Sequence, residues 1–219
     1  MRVNLEARAA TGENRRAQTR AKLVDAAARV IADKGREATS IEDIVAEAGV
    51  ARGTFYNYFP TVDELLDALN TRMAQAVDAA MAPIRAEITD PPSLLAATLH
   101  RFMVALTADP VGGWLALRME GSVAPRQLIF ERRFDALFQE GVRIGRFRQG
   151  NRDAARSLLF GAFRMAQRDV MLGQTSPDHV VELVALLLMA FGVTPEEARD
   201  ISRKAAAEAE DQRHYHPVM

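Results

Sequence analysis

Between Arg15 and Gly35 apolar residues return at the helical interval: Leu23, Ala26, Ala27, Val30 and Ile31 share one face, with Arg20, Lys22, Asp25 and Arg29 on the other. This is the pattern of an amphipathic helix with one buried stripe. It predicts a first helix of roughly five turns, closed at Gly35 because glycine readily takes the left-handed conformation that ends a helix. A second stripe follows at Ile41, Ile44, Val45 and Ala48. Thr39 and Ser40 precede it, each with an acidic residue three positions on (Glu42 and Asp43), so a capping box is available in either frame. Gly49 then permits a tight turn into the run from Val50 to Phe59. Phe55 and Phe59 can complete a small core against Val30 and Ile31, and Pro60 closes the third helix. Ahead of about Gly12 the chain is polar and alanine-rich without a clear period, which predicts a mobile arm.

Beyond Pro60 the period stays helical. Thr61 can cap a fourth helix through Asp63, Leu65, Leu66, Leu69, Met73, Val77 and Met81. Breaks at Pro83, Pro91-Pro92, Asp109-Pro110, Gly112-Gly113, Pro125, Gly145, Gly150, Gly173, Pro177, Gly192 and Pro195 divide the remainder into helices near 93–108, 114–122, 126–145, 153–172, 177–191 and 195–209. No alternating strand pattern occurs. The expectation is an all-α chain of two domains: an N-terminal arm with a three-helix helix-turn-helix unit over 1–60, and a larger helical bundle over 61–219 for ligand binding and dimerisation.

Composition narrows the function. With 48% hydrophobic and 26% charged residues the chain has a globular profile. It has no cysteine, which excludes disulfides, thiolate metal sites and cysteine nucleophiles together. The sequence shows no secretion signal and no apolar run long enough for a membrane span, so a cytoplasmic location without a membrane partner is expected. A net charge of −1 means that any attraction to nucleic acid must be local. From Arg2 to Lys22 there are six basic residues (Arg2, Arg8, Arg15, Arg16, Arg20 and Lys22) against Glu6 and Glu13.

That bias lies beside the helix-turn-helix pattern, whose second helix is a shape that enters a major groove. With Phe55 and Phe59 turned inward, Arg52, Thr54, Tyr56, Asn57 and Tyr58 face outward. Arginine can bond guanine in pairs, asparagine can bond adenine, and threonine and tyrosine can meet phosphate or a thymine methyl. An apolar helix pair with partly buried Tyr56 and Tyr58 is the plainer alternative.

The segment from Arg15 to Leu66 resembles the N-terminal domain of the TetR family of bacterial transcriptional regulators. The likeness rests on Ala26-Ala27, Lys34-Gly35, Thr39-Ser40, Ile44, Ala48-Gly49-Val50, Gly53-Thr54-Phe55-Tyr56, Phe59 and Asp63-Glu64-Leu65, over roughly a quarter of the chain. The resemblance implies a DNA-binding homodimer on a pseudo-palindromic double-stranded operator, most simply a repressor released by a small-molecule effector, with no cofactor. By position it implies phosphate contacts from Thr39 and Ser40, and DNA contacts from Arg52, Gly53, Thr54, Tyr56, Asn57 and Tyr58. Many relatives carry a phosphate-binding lysine where this chain has Val62. Arg15, Arg16 and Arg20 can replace that contact along phosphates or in a minor groove, or they can be a solvated helix start.

The second domain offers two candidate regions. Phe102, Met103, Trp114, Met119, Phe134, Phe138 and Phe163 suit an adaptable apolar cavity or ordinary core packing, with Phe130 and Met165 nearby. Among the interspersed polar residues His100, Arg101, Arg118, Glu120 and Arg164, the pair Arg118 and Arg164 would meet an anionic effector. The strongly apolar stretch from Val180 to Phe191, with the helix before it, reads as a dimer seam or as a central buried helix. Leu159, Phe163, Val184, Leu187, Leu188 and Phe191 are the candidate interface residues.

An enzyme is the rival class. The chain has four histidines, no phosphate-cradling glycine loop and no paired metal-spaced histidines except His214 and His216 in the tail, so no catalysis and no metal are expected. The second rival is an all-helical small-molecule-binding or interaction module whose helix-turn-helix no longer reads DNA.

Overall fold

Three short runs of sequence build the head of the molecule. The structure, a computed structural model, describes residues 5–118, 125–176 and 178–211, with side chains described from residue 12 in the first helix and from 129 in the seventh. Helix α1 spans Leu5–Lys34, α2 Ile41–Ala48 and α3 Arg52–Tyr56. In α1 the side chains of Leu23, Val24, Ala26, Ala27, Ala28, Ile31 and Ala32 are buried. They meet Ile44, Val45 and Ala48 of α2 and Phe55 and Phe59 of the third segment in one apolar cluster. Small alanines let α2 approach α1 closely, and the two phenylalanines fill the remaining space. Val30, expected in this core, is only half-buried.

Helix α1 begins about ten residues earlier than the periodicity suggests. The stretch taken for a mobile arm is helical from Leu5, because leucine, glutamate, alanine and arginine all favour helix and Gly12 costs only about 1 kcal/mol. Amphipathic periodicity marks only helices with an apolar stripe, so it misses turns whose sequence lacks one. Thirty helical residues make a rod of roughly 45 Å.

Helix α4, Val62–Glu87, joins the two cores. Thr61 caps it by accepting from the Glu64 N–H at 3.2 Å. Leu65, Leu66 and Leu69 complete the head's core, which thus reaches past Pro60. Met81 and Ile84 belong to the second core. Pro83, read as a break, lies inside this helix. Burial of Met81 and Ile84 on either side holds the chain helical through the lost hydrogen bond.

The remaining helices are α5 (Pro91–Ala108), α6 (Pro110–Arg118), α7 (Pro125–Arg143), α8 (Arg152–Met171), α9 (Asp178–Ala190) and α10 (Pro195–Asp211). Among the described residues there is no strand. Asp90 caps α5 through the Ser93 N–H, and two prolines fill its first positions, where no N–H is needed. Helix α6 includes Gly112 and Gly113, which the sequence suggested as a break. A Cβ on Gly113 would lie 2.7 Å from the Leu106 carbonyl and 2.8 Å from the Met171 methyl, so this glycine permits close packing. The expected extension of this helix to Ser122 lies outside the described residues.

The core of this second unit is aromatic. Phe138 stacks on Phe147 at 5.8 Å, and both rings meet Phe191 edge-on. Arg146 ties the periphery together, bonding Asp90 at 2.7 Å and Glu197 at 2.6 Å. No helix among the described residues is long and apolar enough to cross a membrane.

Candidate nucleic-acid interface

The start of α2 is fixed by its own side chains. Ser40 accepts from the Asp43 N–H at 3.2 Å, and Asp43 accepts from the Ser40 N–H at 2.9 Å, closing the capping box. Lys34 lies 2.5 Å from the same carboxylate. Lys34 and the two Ser40 donors hold the Asp43 carboxyl well below the usual carboxylate range. Thr39 donates its hydroxyl to the Gly35 carbonyl at 2.7 Å. Both residues that sequence reasoning placed against phosphate are therefore engaged within the chain, and the positive charge beside them is Lys34.

The turn after α2 needs glycine. Gly49 sits at φ 60°, with its N–H on the Ala46 carbonyl, while Val50 N–H reaches the Val45 carbonyl. A side chain there would be strained by contact with its own backbone. The ammonium of Lys22 lies near this turn, 3.9 Å from where a Gly49 Cβ would stand.

From that turn α3 emerges with Phe55 buried and Arg52, Gly53, Tyr56 and Asn57 exposed. Thr54 and Tyr58 are half-buried. A Cβ on Gly53 would meet nothing within 4 Å, so the helix presents bare backbone at that point. Arg52 pairs with Glu42 at 2.6 Å and donates to the Tyr56 hydroxyl at 3.4 Å. Tyr56 and Glu42 both favour its charged form. Both side chains are exposed to water, a setting in which ion pairs are weak and readily exchanged.

Helix α1 contributes to the same end of the head. The Arg16 guanidinium stands 5.9 Å from the centre of the Tyr58 ring, and that of Arg20 stands 4.9 Å from the Phe59 ring. Cation–π contacts of this kind orient arginines without neutralising them. Two of the three basic residues that the sequence could treat only as a group are thus fixed beside the end of α3.

In the second unit the candidate effector residues separate into three places. Phe102 lines a half-open groove of about 70 Å³ between α4, α5, α6 and α7, together with Met73, Val77, Met81, Ala105, Asp109, Gly112 and Phe130. Met103, Phe134, Phe138 and Phe163 are buried in the core. Trp114 packs with the head's core, and Arg118 lies over its ring at 5.0 Å while donating to the Ala32 and Asp33 carbonyls at the end of α1. Arg164 donates to the Leu117 carbonyl at 3.0 Å. Met119 and Glu120 lie outside the described residues. The two arginines offered to an anionic effector are therefore engaged with backbone carbonyls.

The six candidate interface residues, Leu159, Phe163, Val184, Leu187, Leu188 and Phe191, are all buried within their own chain. Within the single chain, α9, apolar on several faces, turns Val180, Val184, Ala185, Leu187 and Leu188 inward. The apolar residues left exposed on α8 and α9 are Leu158, Met165 and Leu186, the last 59% exposed.

Comparison with known proteins adds the family. Residues 23–69 match the profile of bacterial regulatory proteins of the tetR family. An uncharacterized HTH-type transcriptional regulator of Bacillus subtilis (strain 168), YvdT, is 48% identical over 48 residues, which are 22% of this chain and 25% of that protein. This chain thus spans a quarter of that relative's length. The fatty acid metabolism regulator protein of the same strain is 29% identical over 150 residues, 64% of this chain and 76% of that protein. RolR, solved in complex with resorcinol, matches at 29% identity and a TM-score of 0.65, covering 87% of this chain and 95% of that one. With its glycine-capped turn and exposed third helix, the segment 23–69 is a helix-turn-helix domain of the tetR family of bacterial regulatory proteins, and the chain as a whole is similar in fold to RolR.

Proposed function

We propose that this chain is a DNA-binding transcriptional regulator, acting as a homodimeric repressor that a small-molecule effector releases from its operator. The observation that carries the reading is α3 itself: Arg52, Gly53, Tyr56 and Asn57 face solvent on a head whose core is closed by Phe55 and Phe59. Solvent has no use for an aromatic and bare backbone on so short a helix, whereas a major groove does. Arg52 and Asn57 read bases, and Thr54, Tyr56 and Tyr58 fix register on phosphates. Glu42 yields Arg52 to the DNA. Thr39 and Ser40 act chiefly by setting where α2 begins, their hydroxyls reaching phosphate only by leaving the Gly35 carbonyl and Asp43, with Lys34, Lys22, Arg16 and Arg20 supplying charge.

Two such heads are needed to read a palindromic site, and Leu158, Met165 and Leu186 form the apolar stripe through which a second copy would dock. A Cβ on Gly161, in the same stretch of α8, would meet nothing within 4 Å, which leaves room for a partner helix. Helix α6 is the route from effector to head. Gly112 and Ala116 face the groove, while Leu115 and Trp114 pack with the head's core and Arg118 holds the last carbonyls of α1. A ligand that binds the non-operator arrangement more tightly shifts the population by that difference in affinity alone. The likeness to RolR, whose structure holds resorcinol, supports a small organic effector. The domain division near Pro60, the absence of catalysis and a cytoplasmic site of action belong to the same reading.

The experiment is a gel shift with duplex DNA flanking the protein's own gene, at low salt. A specific complex with two chains on one site is expected. No complex, or one indifferent to sequence, would remove the regulator reading.

A further inference from the structure

We infer that the groove between α4, α5, α6 and α7 takes a compact, uncharged aromatic molecule carrying a hydroxyl group, and that Asp109 receives that hydroxyl. The inference rests on the effector-regulated reading above and names the chemical class of the effector.

Size is the first argument. At about 70 Å³, and with roughly 10–15 Å³ needed for each water-sized body, the groove formed by the described residues is of a size to hold a single small ring. The second argument is the character of the walls. Met73, Met81, Phe102 and Phe130 supply two thioethers and two rings. Phe102 and Phe130 are already arranged edge to face, 6.1 Å apart at 71°. Sulfur at a ring edge and rings in tilted contact are favourable neighbours for a third aromatic ring.

Charge is the third argument. Among the described residues that line the groove none is basic, and the one ionisable group is Asp109. Arg118 and Arg164, the nearby cations that could have met an acid, are spent on the carbonyls of Ala32, Asp33 and Leu117. A carboxylate, or the phosphates of an acyl-CoA, would enter beside Asp109 without a counter-charge among the described lining residues. Asp109 is half-buried at the junction of α5 and α6, where it accepts the Val111 N–H at 3.1 Å. A carboxylate has acceptor capacity for more than one donor. A hydroxyl bonded to it therefore loads the first turn of α6, the helix that also packs with the head's core.

Isothermal titration of the full chain tests this with three probes: resorcinol, a long-chain acyl-CoA and a quaternary ammonium of similar size to resorcinol. Each is also tested for release of operator DNA by fluorescence anisotropy. Resorcinol should bind and release DNA. Asp109→Asn, which keeps the cap on α6, should weaken resorcinol about tenfold by replacing a charge-assisted bond with a neutral one. Ala105→Phe, which fills the groove, should abolish resorcinol binding, and Ala80→Leu serves if that variant fails to fold. Tighter binding of the acyl-CoA or of the ammonium overturns the inference. So does resorcinol binding that survives Ala105→Phe, and so does failure of all three probes. Loss of operator binding by the wild-type chain would instead overturn the regulator reading, and calorimetry would still report which ligand the groove takes.

Discussion

At the scale of single residues, the side chains proposed to read DNA differ in kind from those that build the head. Arg52 and Asn57 are exposed and stand outside the head's core, the Arg52 contacts to Glu42 and Tyr56 being surface ones, so their removal should leave the fold intact and be felt chiefly on DNA. Arg52→Ala and Asn57→Ala should each weaken operator binding about ten- to hundredfold and relax the preference at one base pair. Titration against single-base operator variants checks this, and unchanged affinity for both would count against α3 as the reader. His100 tests the interior. It is buried in α5, and its Nε2 lies 3.0 Å from the Ser202 hydroxyl, which donates to the Val181 carbonyl at 2.8 Å. The serine's one proton being used there, Nε2 must carry the proton of the imidazole. Burial alone pushes its pKa down to about 4 from the ordinary 6.5. The unfolded chain therefore binds a proton between pH 6.5 and 4 that the folded one refuses. Stability should be constant above 6.5 and fall by up to about 3 kcal/mol as the pH drops to 4. Denaturation of His100→Gln, which keeps a donor for Ser202 without titrating, should lose that part of the slope.

At the scale of elements, helices ended by caps and patterned by burial were legible, and those shaped by neighbours were not. Ser40 and Thr61, read as caps from the sequence, each accept a backbone N–H three residues on. Asp90 and Asn151 do the same for α5 and α8, which start at Pro91 and Arg152, slightly ahead of the expected 93 and 153. Pro83 and Gly112-Gly113 read as breaks because the sequence does not reveal that Ile84 is buried or that Met171 lies against Gly113. The early turns of α1 escaped notice for the opposite reason, their sequence carrying no clear apolar period. If they extend the basic surface of the head along DNA, removing residues 1–14 should weaken binding to all sequences. The slope of log affinity against log salt should also fall by up to about two, roughly 0.9 for each of Arg2 and Arg8. An unaltered slope would show this segment idle.

At the scale of the molecule, the proposed mechanism needs two copies and a path between groove and head. Both proposals follow from how faces are shared. Helix α4 gives Leu65 and Leu69 to one core and Met81 and Ile84 to the other, and α6 gives Leu115 to the head while lining the groove with Gly112 and Ala116. Leu186→Asp should yield monomers with poor operator affinity and an unchanged fold, because its side chain faces solvent in the single chain. Sedimentation provides the measurement, and a soluble, intact dimer would move the interface to another surface.

The amino-acid order determined the head, since the Ser40 cap, the Gly49 turn and the inward spacing of Phe55 and Phe59 are local events within a few tens of residues. It equally determined that the rest is helical. Only the tertiary structure decided which face of α9 is core and which is open, that Arg118 and Arg164 serve backbone carbonyls, and that Asp109 is the one charge among the described residues lining the groove. Those outcomes depend on which helices meet, and a helix apolar on several sides carries no record of which neighbour it will choose.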